Sequence, residues 1–234
     1  MKIEVSIIIP LAPNDLLSEE FKHQLLTFPE HWEILICTSK EPDDDIFINN
    51  NFRWLPTSGG RASSLNEGAR YSKGEYLWFL HSDSSLVSGT CIKLQRAMKQ
   101  KEKQLFYFDL KFIRLSSHNV KPKELGVLFR SRILKTPFGD QGFFMRKELF
   151  SQYGPYSTEA LYGEDHLFVR KLKRSHIKIT PIGLELYTSP RKYERGGWTK
   201  ITLLHQYLWI RQSLEDWWRY RRVKENEYSN RSVL

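Results

Sequence analysis

Before residue 56 the chain holds three apolar runs, EVSIII at 4–9, Glu33 to Cys37 and Phe52 to Leu55. Each is too short for a core helix and has the length of a buried strand. Between the first two, residues 15–27 place Leu17, Phe21 and Leu25, with Phe28 just beyond, at helical spacing. An Asp- and Asn-rich loop leads into the third. The stretch that follows, SGGRASSLNEGARYSKGEYLWFLHSDSS, predicts a helix from near Arg61 with Ala62, Leu65 and Ala69 inward, capped by Ser58 and stopped by Gly74. Glu75 to Leu80 then reads as a strand running into His81-Ser82-Asp83. Such strand–helix–strand units imply an α/β fold, a Rossmann-like, mainly parallel sheet with helices on both faces. Ligands in these sheets sit at the carboxyl ends of strands, where the His-Ser-Asp tripeptide falls.

The second half is less regular. Residues 90–101 and 122–135 read as helices, Gln104 to Leu115 and Gln141 to Met145 as strands, Glu164 to Arg174 as a helix and Ile177 to Leu186 as a strand. Residues 198–222 form the last and longest helix, and the polar tail from Lys224 is expected to fray. The organisation expected is one domain over 1–197, with a nucleotide-binding half (1–87) and an acceptor half (88–197). A basic amphipathic helix over 198–223 and a flexible tail over 224–234 follow.

Composition narrows the partners. With 36 basic and 27 acidic residues the net charge is +9, and residues 190–224 hold nine Lys or Arg against three acids. Phosphate-rich partners fit that excess: nucleotide diphosphates, anionic headgroups or nucleic acid. VSIIIPLA makes a poor secretory core, since Glu4 and Pro10 interrupt it, and no run reaches the ~20 apolar residues of a membrane span. Cys37 and Cys91 are too few for a disulfide framework and read as small hydrophobes in a reducing compartment.

Transfer of a group from a diphosphate needs its departing charge offset and the attacking hydroxyl deprotonated. Asp83, at the end of an apolar strand, reads either as a carboxylate for a hard cation or as a turn or cap residue. Glu164 and Asp165 open a helix, where acids are also favoured by the dipole. Asp140 precedes a strand, on a loop expected on the same side of the sheet.

Taken in order, these blocks resemble the family 2 glycosyltransferases of the GT-A type. Within them they resemble the short bacterial subgroup found with radical-SAM and arsenosugar gene clusters. The matching blocks are VSIIIP, GRASSLNEGARYSKGEYLWFLHSDS, FGDQGFFMRKELFSQYGPY, LYGEDHLFVRKLKR and TSPRKYERGGW, spanning about residues 4 to 205. The resemblance implies that Asp83 binds a metal, Mg²⁺ or Mn²⁺, on the donor diphosphate. Asp165 matches the catalytic base, with Glu164 beside it. His81 stands where many relatives carry the first Asp of a DXD motif. Pro10, Leu11, Arg61, Asn66 and Ser82 fall at the donor site, Asp140 and Gln141 at the sugar and acceptor site, and Arg191 and Arg195 on a basic loop over the phosphates. One departure concerns the nucleotide: the second strand lacks its usual terminal Asp, and Thr38 stands near that position. The APND loop also lacks the usual Asn-Glu pair.

The function so implied is inverting, metal-dependent transfer of a sugar from a nucleotide-diphosphate sugar to the hydroxyl of a sugar or lipid-linked acceptor, of hexosyltransferase type. The expected location is the cytoplasm; the last helix reads either as packed on the domain with a basic outer face or as seated at an anionic membrane surface, which would then be a further partner. Two alternatives stand beside it: a degenerate binding or scaffold protein of the same fold, and a nucleic-acid-binding module using the Trp- and Arg-rich helix. No nucleic-acid motif accompanies that helix.

Overall fold

The computed structural model describes residues 2–39, 51–113, 120–160, 162–190 and 198–231. The chain divides into two compact units, Met1–Ser189 and Pro190–Leu234.

Eight strands form one sheet in the first unit. They are β1 (Val5–Pro10), β2 (Trp32–Thr38), β3 (Phe52–Pro56), β4 (Tyr76–Phe79), β5 (Ser84–Leu86), β6 (Gln104–Phe112), β7 (Phe143–Arg146) and β8 (Lys178–Thr188). Their order is β3-β2-β1-β4-β7-β6-β8-β5. Strands β1 to β4 are mutually parallel, as the repeated units predict. Beyond β4 the sheet is mixed: β7 runs antiparallel to β4 and β6, β6 and β8 are parallel, and β5 is antiparallel to β8. In a flat sheet β5 would lie four strand spacings, roughly 19 Å, from β4. The link Leu80–Asp83 is bent by the bond from Ser84 N to His81 O (3.2 Å) and is too short for that. The far strands therefore curl back toward β4.

Strand alternation sends Ile7 and Ile9 to one face and Ile8 to the other. One face packs with α1 (Glu19–Leu26) and α3 (Thr90–Met98), through Phe21, Leu25, Leu94 and Ala97. The other packs with α2 (Arg61–Tyr71), α5 (Lys147–Tyr153) and α6 (Glu164–Arg174), through Leu65, Ala69, Phe150, Phe168 and Leu172. Each fully buried side chain of this size stabilises the fold by about 1.5–3 kcal/mol. Helix α4 (Lys121–Arg132) turns Val127 and Ser131 inward, and Tyr107 Oη donates to Ser131 O (2.9 Å).

Several local expectations are corrected. Gly60, not Ser58, precedes α2; the Ser58 hydroxyl meets that of Ser63 (3.3 Å) and caps nothing. Ser72 ends α2 in extended backbone, and Gly74 serves close packing instead. Its N–H donates to Ser6 Oγ (2.8 Å), and a Cβ there would press on the Ser6 backbone. Gln141 belongs to a 3-10 turn, Gly139–Gln141, before β7 rather than to the strand. Strand β5 and helix α5 are too short to leave a periodic signal. Helix α1 starts at Glu19, later than expected, because the Ser18 side chain caps it through Phe21 N (3.2 Å).

The second unit contains α7 (Trp198–Arg231), which continues through residues expected to fray. No described helix is long and apolar enough to cross a membrane.

Candidate active site

Strand direction gathers the site. The carboxyl ends of β1, β2, β4, β6 and β8 share one edge of the sheet. Because β7 is antiparallel to β4 with Phe79 opposite Phe143, the turn Gly139–Gln141 lands at that edge too. Ser84 pairs with Thr188, which brings Asp83 to the end of β8. There Thr188 Oγ1 donates to Asp83 Oδ2 (3.2 Å); Thr188 opens the block TSPRKYERGGW but is not among the expected site residues.

Helix α6 supplies the other half. Asp165, Val169 and Leu172 recur at helical spacing on its buried side, so the core residues aim Asp165 inward at the first turn. The carboxylate is tightly held. Its Oδ2 accepts a short hydrogen bond from Gly139 N, and its Oδ1 accepts from His166 N (2.7 Å). Gly139 must be glycine for this approach, since a Cβ would sit 2.8 Å from Asp165 Oδ2 and 2.5 Å from Arg61 Nη2.

Arg61, in the first turn of α2, joins the two halves. Its Nε faces Glu164 Oε1 at 3.3 Å as an ion pair outside hydrogen-bond alignment, and its Nη2 faces Asp165 Oδ2 at 3.7 Å. The same Nη2 lies 2.7 Å from His81 Nε2. Arginine has only donors, so His81 Nε2 accepts and the ring proton sits on Nδ1, which is 4.0 Å from Asp83 Oδ1. Burial and the Arg61 charge hold the His81 pKa well below its ordinary value, so the ring is neutral at pH 7. A continuous polar path thus runs from Asp83 through His81 and Arg61 to Glu164 and Asp165.

Charge is unevenly tolerated along that path. Burial works against the Arg61 cation, yet Asp165, Glu164 and Asp140 together raise its pKa. Burial raises the Glu164 pKa despite the pull of Arg61, so pairing favours charge on the arginine while desolvation still disfavours it on the glutamate. Asp140 is raised by burial first, against Arg130 and with Asp165 adding to it. Its Oδ1 is buried without a hydrogen-bond partner, a carboxylate oxygen left for something else to meet. Tyr156, also buried, is raised by desolvation and by Asp165, a neighbour that its PYSTEA context did not signal.

Three of the expected binding residues also brace the fold. The Asn66 amide forms a reciprocal pair with Tyr156, donating to its O and accepting from its N at 2.8 Å each. Gln141 is buried: its Oε1 accepts from Ser131 Oγ (2.8 Å) and Phe138 N (3.1 Å), and its Nε2 donates to Phe108 O (2.9 Å). It holds the turn that presents Gly139 and Asp140. Thr38 is buried at the end of β2, with its O accepting from Thr57 N (2.9 Å). Pro10 and Leu11 end β1 beside it, where Leu11 N donates to Cys37 O (2.9 Å). Ser82 lies in the turn between His81 and Asp83. Arg191 and Arg195 lie outside the described residues.

A metal implied by this fold finds an oxygen donor in Asp83, whose side chain is 38% exposed. His81 Nε2 is committed to Arg61, and no group of three His, Cys, Asp or Glu that could hold a metal occurs among the described residues. A single carboxylate suits a hard cation that takes its other ligands from phosphates and water.

These features define an α/β architecture with acidic side chains and an arginine gathered at the carboxyl edge of its sheet. Residues 16–155 match the family model Glycosyl transferase family 2, and the chain belongs to that family. Over 126 residues it is 28% identical to an uncharacterized glycosyltransferase of Haemophilus influenzae, covering 50% of this chain and 42% of that protein. Among solved structures it resembles TarS 1-349 from S. aureus (TM-score 0.63, 17% identity, 81% of this chain and 62% of that one). It also resembles that protein in complex with UDP-GlcNAc (TM-score 0.59, 18% identity, 80% and 58%). The mannosyltransferase PcManGT from Pyrobaculum calidifontis, in complex with GDP-Man and Mn²⁺, is similar as well (TM-score 0.61, 15% identity, 79% and 56%). The chain spans less than two thirds of each of these proteins. At such identities the structural likeness concerns the fold, GT-A.

Proposed function

We propose that this chain transfers a sugar, as a hexosyltransferase, from a nucleotide-diphosphate sugar to an acceptor hydroxyl, with inversion and with a divalent cation. The observation that carries this reading is Arg61, whose guanidinium contacts both His81, two residues from Asp83, and the pair Glu164 and Asp165. On this reading Asp83 receives the cation and Asp165 acts as the base, both linked to one arginine. Solved relatives of this fold hold UDP-GlcNAc or GDP-Man with Mn²⁺, which supports a nucleotide-sugar donor. The division into a nucleotide half and an acceptor half, and the place in the short bacterial subgroup, rest on the sequence blocks.

In this mechanism Asp165 takes the proton of the acceptor hydroxyl as its oxygen attacks the anomeric carbon. The attack comes from the face opposite the diphosphate, which leaves with the bonding electrons. Gly139 N and His166 N keep the carboxylate from rotating away. Asp83 would hold Mg²⁺ or Mn²⁺, and such a cation supplies positive charge for the departing diphosphate. Arg61 offsets the two acids beside it and keeps them in register. Neutral His81 positions Arg61 without adding a second cation to it.

The test is a screen of nucleotide sugars with Mn²⁺, reading release of free nucleoside diphosphate and heat of binding. Release with one donor, abolished by chelation, is the expected result. Binding of a donor without release even when acceptors are supplied would favour the scaffold alternative, which the buried Thr38 in place of a strand-end Asp motivates. No binding across the panel would overturn the donor assignment.

A further inference from the structure

Two helices carry large apolar side chains where a water-facing helix carries polar ones. In the first unit, α4 buries Val127 and Ser131 against the sheet, and its opposite side presents Leu125 (64% exposed) and Phe129 (57%), continued by Ile133 (66%). In the second unit, Leu203, Tyr207, Ile210, Leu214 and Trp217 recur along α7 at intervals of four and three residues. They form one stripe and are all exposed, with Trp218 and Leu204 at its margin. Such contiguous apolar surface marks an interaction site.

The charges beside both stripes have the same sign. Residues 121–135 hold Lys121, Lys123, Arg130, Arg132 and Lys135 against Glu124 alone. Residues 198–224 hold Lys200, Arg211, Arg219, Arg221, Arg222 and Lys224 against Glu215 and Asp216. Arg132 pairs with Asp109, Arg211 with Glu215, Arg130 lies over the Phe138 ring and Lys123 Nζ is buried, so the cations these segments expose include Lys121, Lys135, Lys200, Arg221 and Arg222. Arg221 also lies over the Trp217 ring, 4.6 Å from its centroid.

We propose that each unit docks on an anionic lipid bilayer through its own stripe, its helix lying in the plane of the interface. The side-chain chemistry chooses this occupant. Leu, Ile and Phe gain by entering the acyl boundary, Tyr and Trp prefer headgroup depth, and the Lys and Arg rims meet anionic headgroups. A second copy seated stripe to stripe would bring like-charged rims together, which opposes self-pairing. Neither helix can span, so the attachment is peripheral. The inference does not depend on the transfer chemistry, and its test reads binding alone.

Full-length protein is sedimented with vesicles of phosphatidylcholine, or of phosphatidylcholine mixed with phosphatidylglycerol, at low and high salt. The wild type is expected to sediment with the mixed vesicles only, and less so at high salt. The variants Leu125→Gln/Phe129→Gln/Ile133→Gln and Leu203→Gln/Ile210→Gln/Trp217→Gln are each expected to lose about tenfold or more in affinity. Their melting should be unchanged, because these side chains are exposed. A charge variant, Lys121→Gln/Lys135→Gln/Arg221→Gln/Arg222→Gln, leaves the apolar stripes intact and is expected to lose the salt-sensitive part. Absence of wild-type binding to mixed vesicles, equal binding to both vesicle types, or full binding by both triple variants would each overturn the proposal. So would a wild-type dimer in solution that the triple variants convert to monomer.

Discussion

Asp83 and Asp165 stand at the two ends of one polar path, and their surroundings differ sharply. Asp83, at the tip of a turn, is 38% exposed and is met by a hydroxyl at 3.2 Å and a neutral imidazole at 4.0 Å. Asp165 is 9% exposed at the start of a helix and is held by two backbone N–H groups with Arg61 alongside. A group that must accept a cation and diphosphate needs room and few prior bonds. A group that must take a proton along one direction gains from being fixed before substrate arrives. The contrast is one of preorganisation, and it can be broken from either end.

The largest effect is expected from Asp165→Asn. The amide oxygen can still accept from Gly139 N, so the fold and donor binding should persist, while transfer falls by about 10²–10⁴-fold. Calorimetry with donor, set beside the transfer rate, checks this; wild-type turnover would remove Asp165 from its role. Next, Asp83→Asn should lower turnover by roughly 10²-fold and raise the Mn²⁺ concentration needed for half-maximal rate. A metal titration reads the shift, and an unchanged metal dependence would place the cation elsewhere. Gly139→Ala forces Asp165 and Arg61 off their positions and should cost about 10- to 100-fold in kcat with a smaller change in KM.

The smallest effect concerns stability. Burial raises the Glu164 pKa, so the folded state binds that proton more tightly than the unfolded chain does. Its ionised form therefore costs stability above the ordinary Glu range, and the cost fades as pH falls through the raised pKa toward that range. Glu164→Gln should gain on the wild type at pH 7 and lose that advantage near pH 4. Urea unfolding at both pH values decides; an advantage independent of pH would mean that the Glu164 charge carries no burial cost.

The two halves of the first unit also differed in how openly the sequence displayed them. Strands β1, β2 and β4 with α2 were readable because buried parallel strands are continuous apolar runs and an amphipathic helix repeats its apolar residues. The span of α6 was readable for the same reason. Strand β5, three residues long, was not, because its pairing with β8 depends on a partner about a hundred residues away. The bracing bonds of Asn66 and Gln141 were not readable, because a polar residue inside a motif block has the same letter whether its amide faces a ligand or closes a turn. Only the partners at 2.8 and 2.9 Å distinguish the two.

Apolar periodicity was enough to determine the α/β class, and the order of the motif blocks carried the resemblance to the family. Those signals are local, and backbone geometry acts on them locally. The tertiary structure alone decided that Arg61 joins Asp83's neighbour to Asp165, that Thr188 reaches Asp83, and that the apolar stripes of α4 and α7 remain uncovered. Each of these depends on which side chains meet across the curl of the sheet or fail to meet anything. No local pattern carries that information, because burial and desolvation are properties of the packed whole.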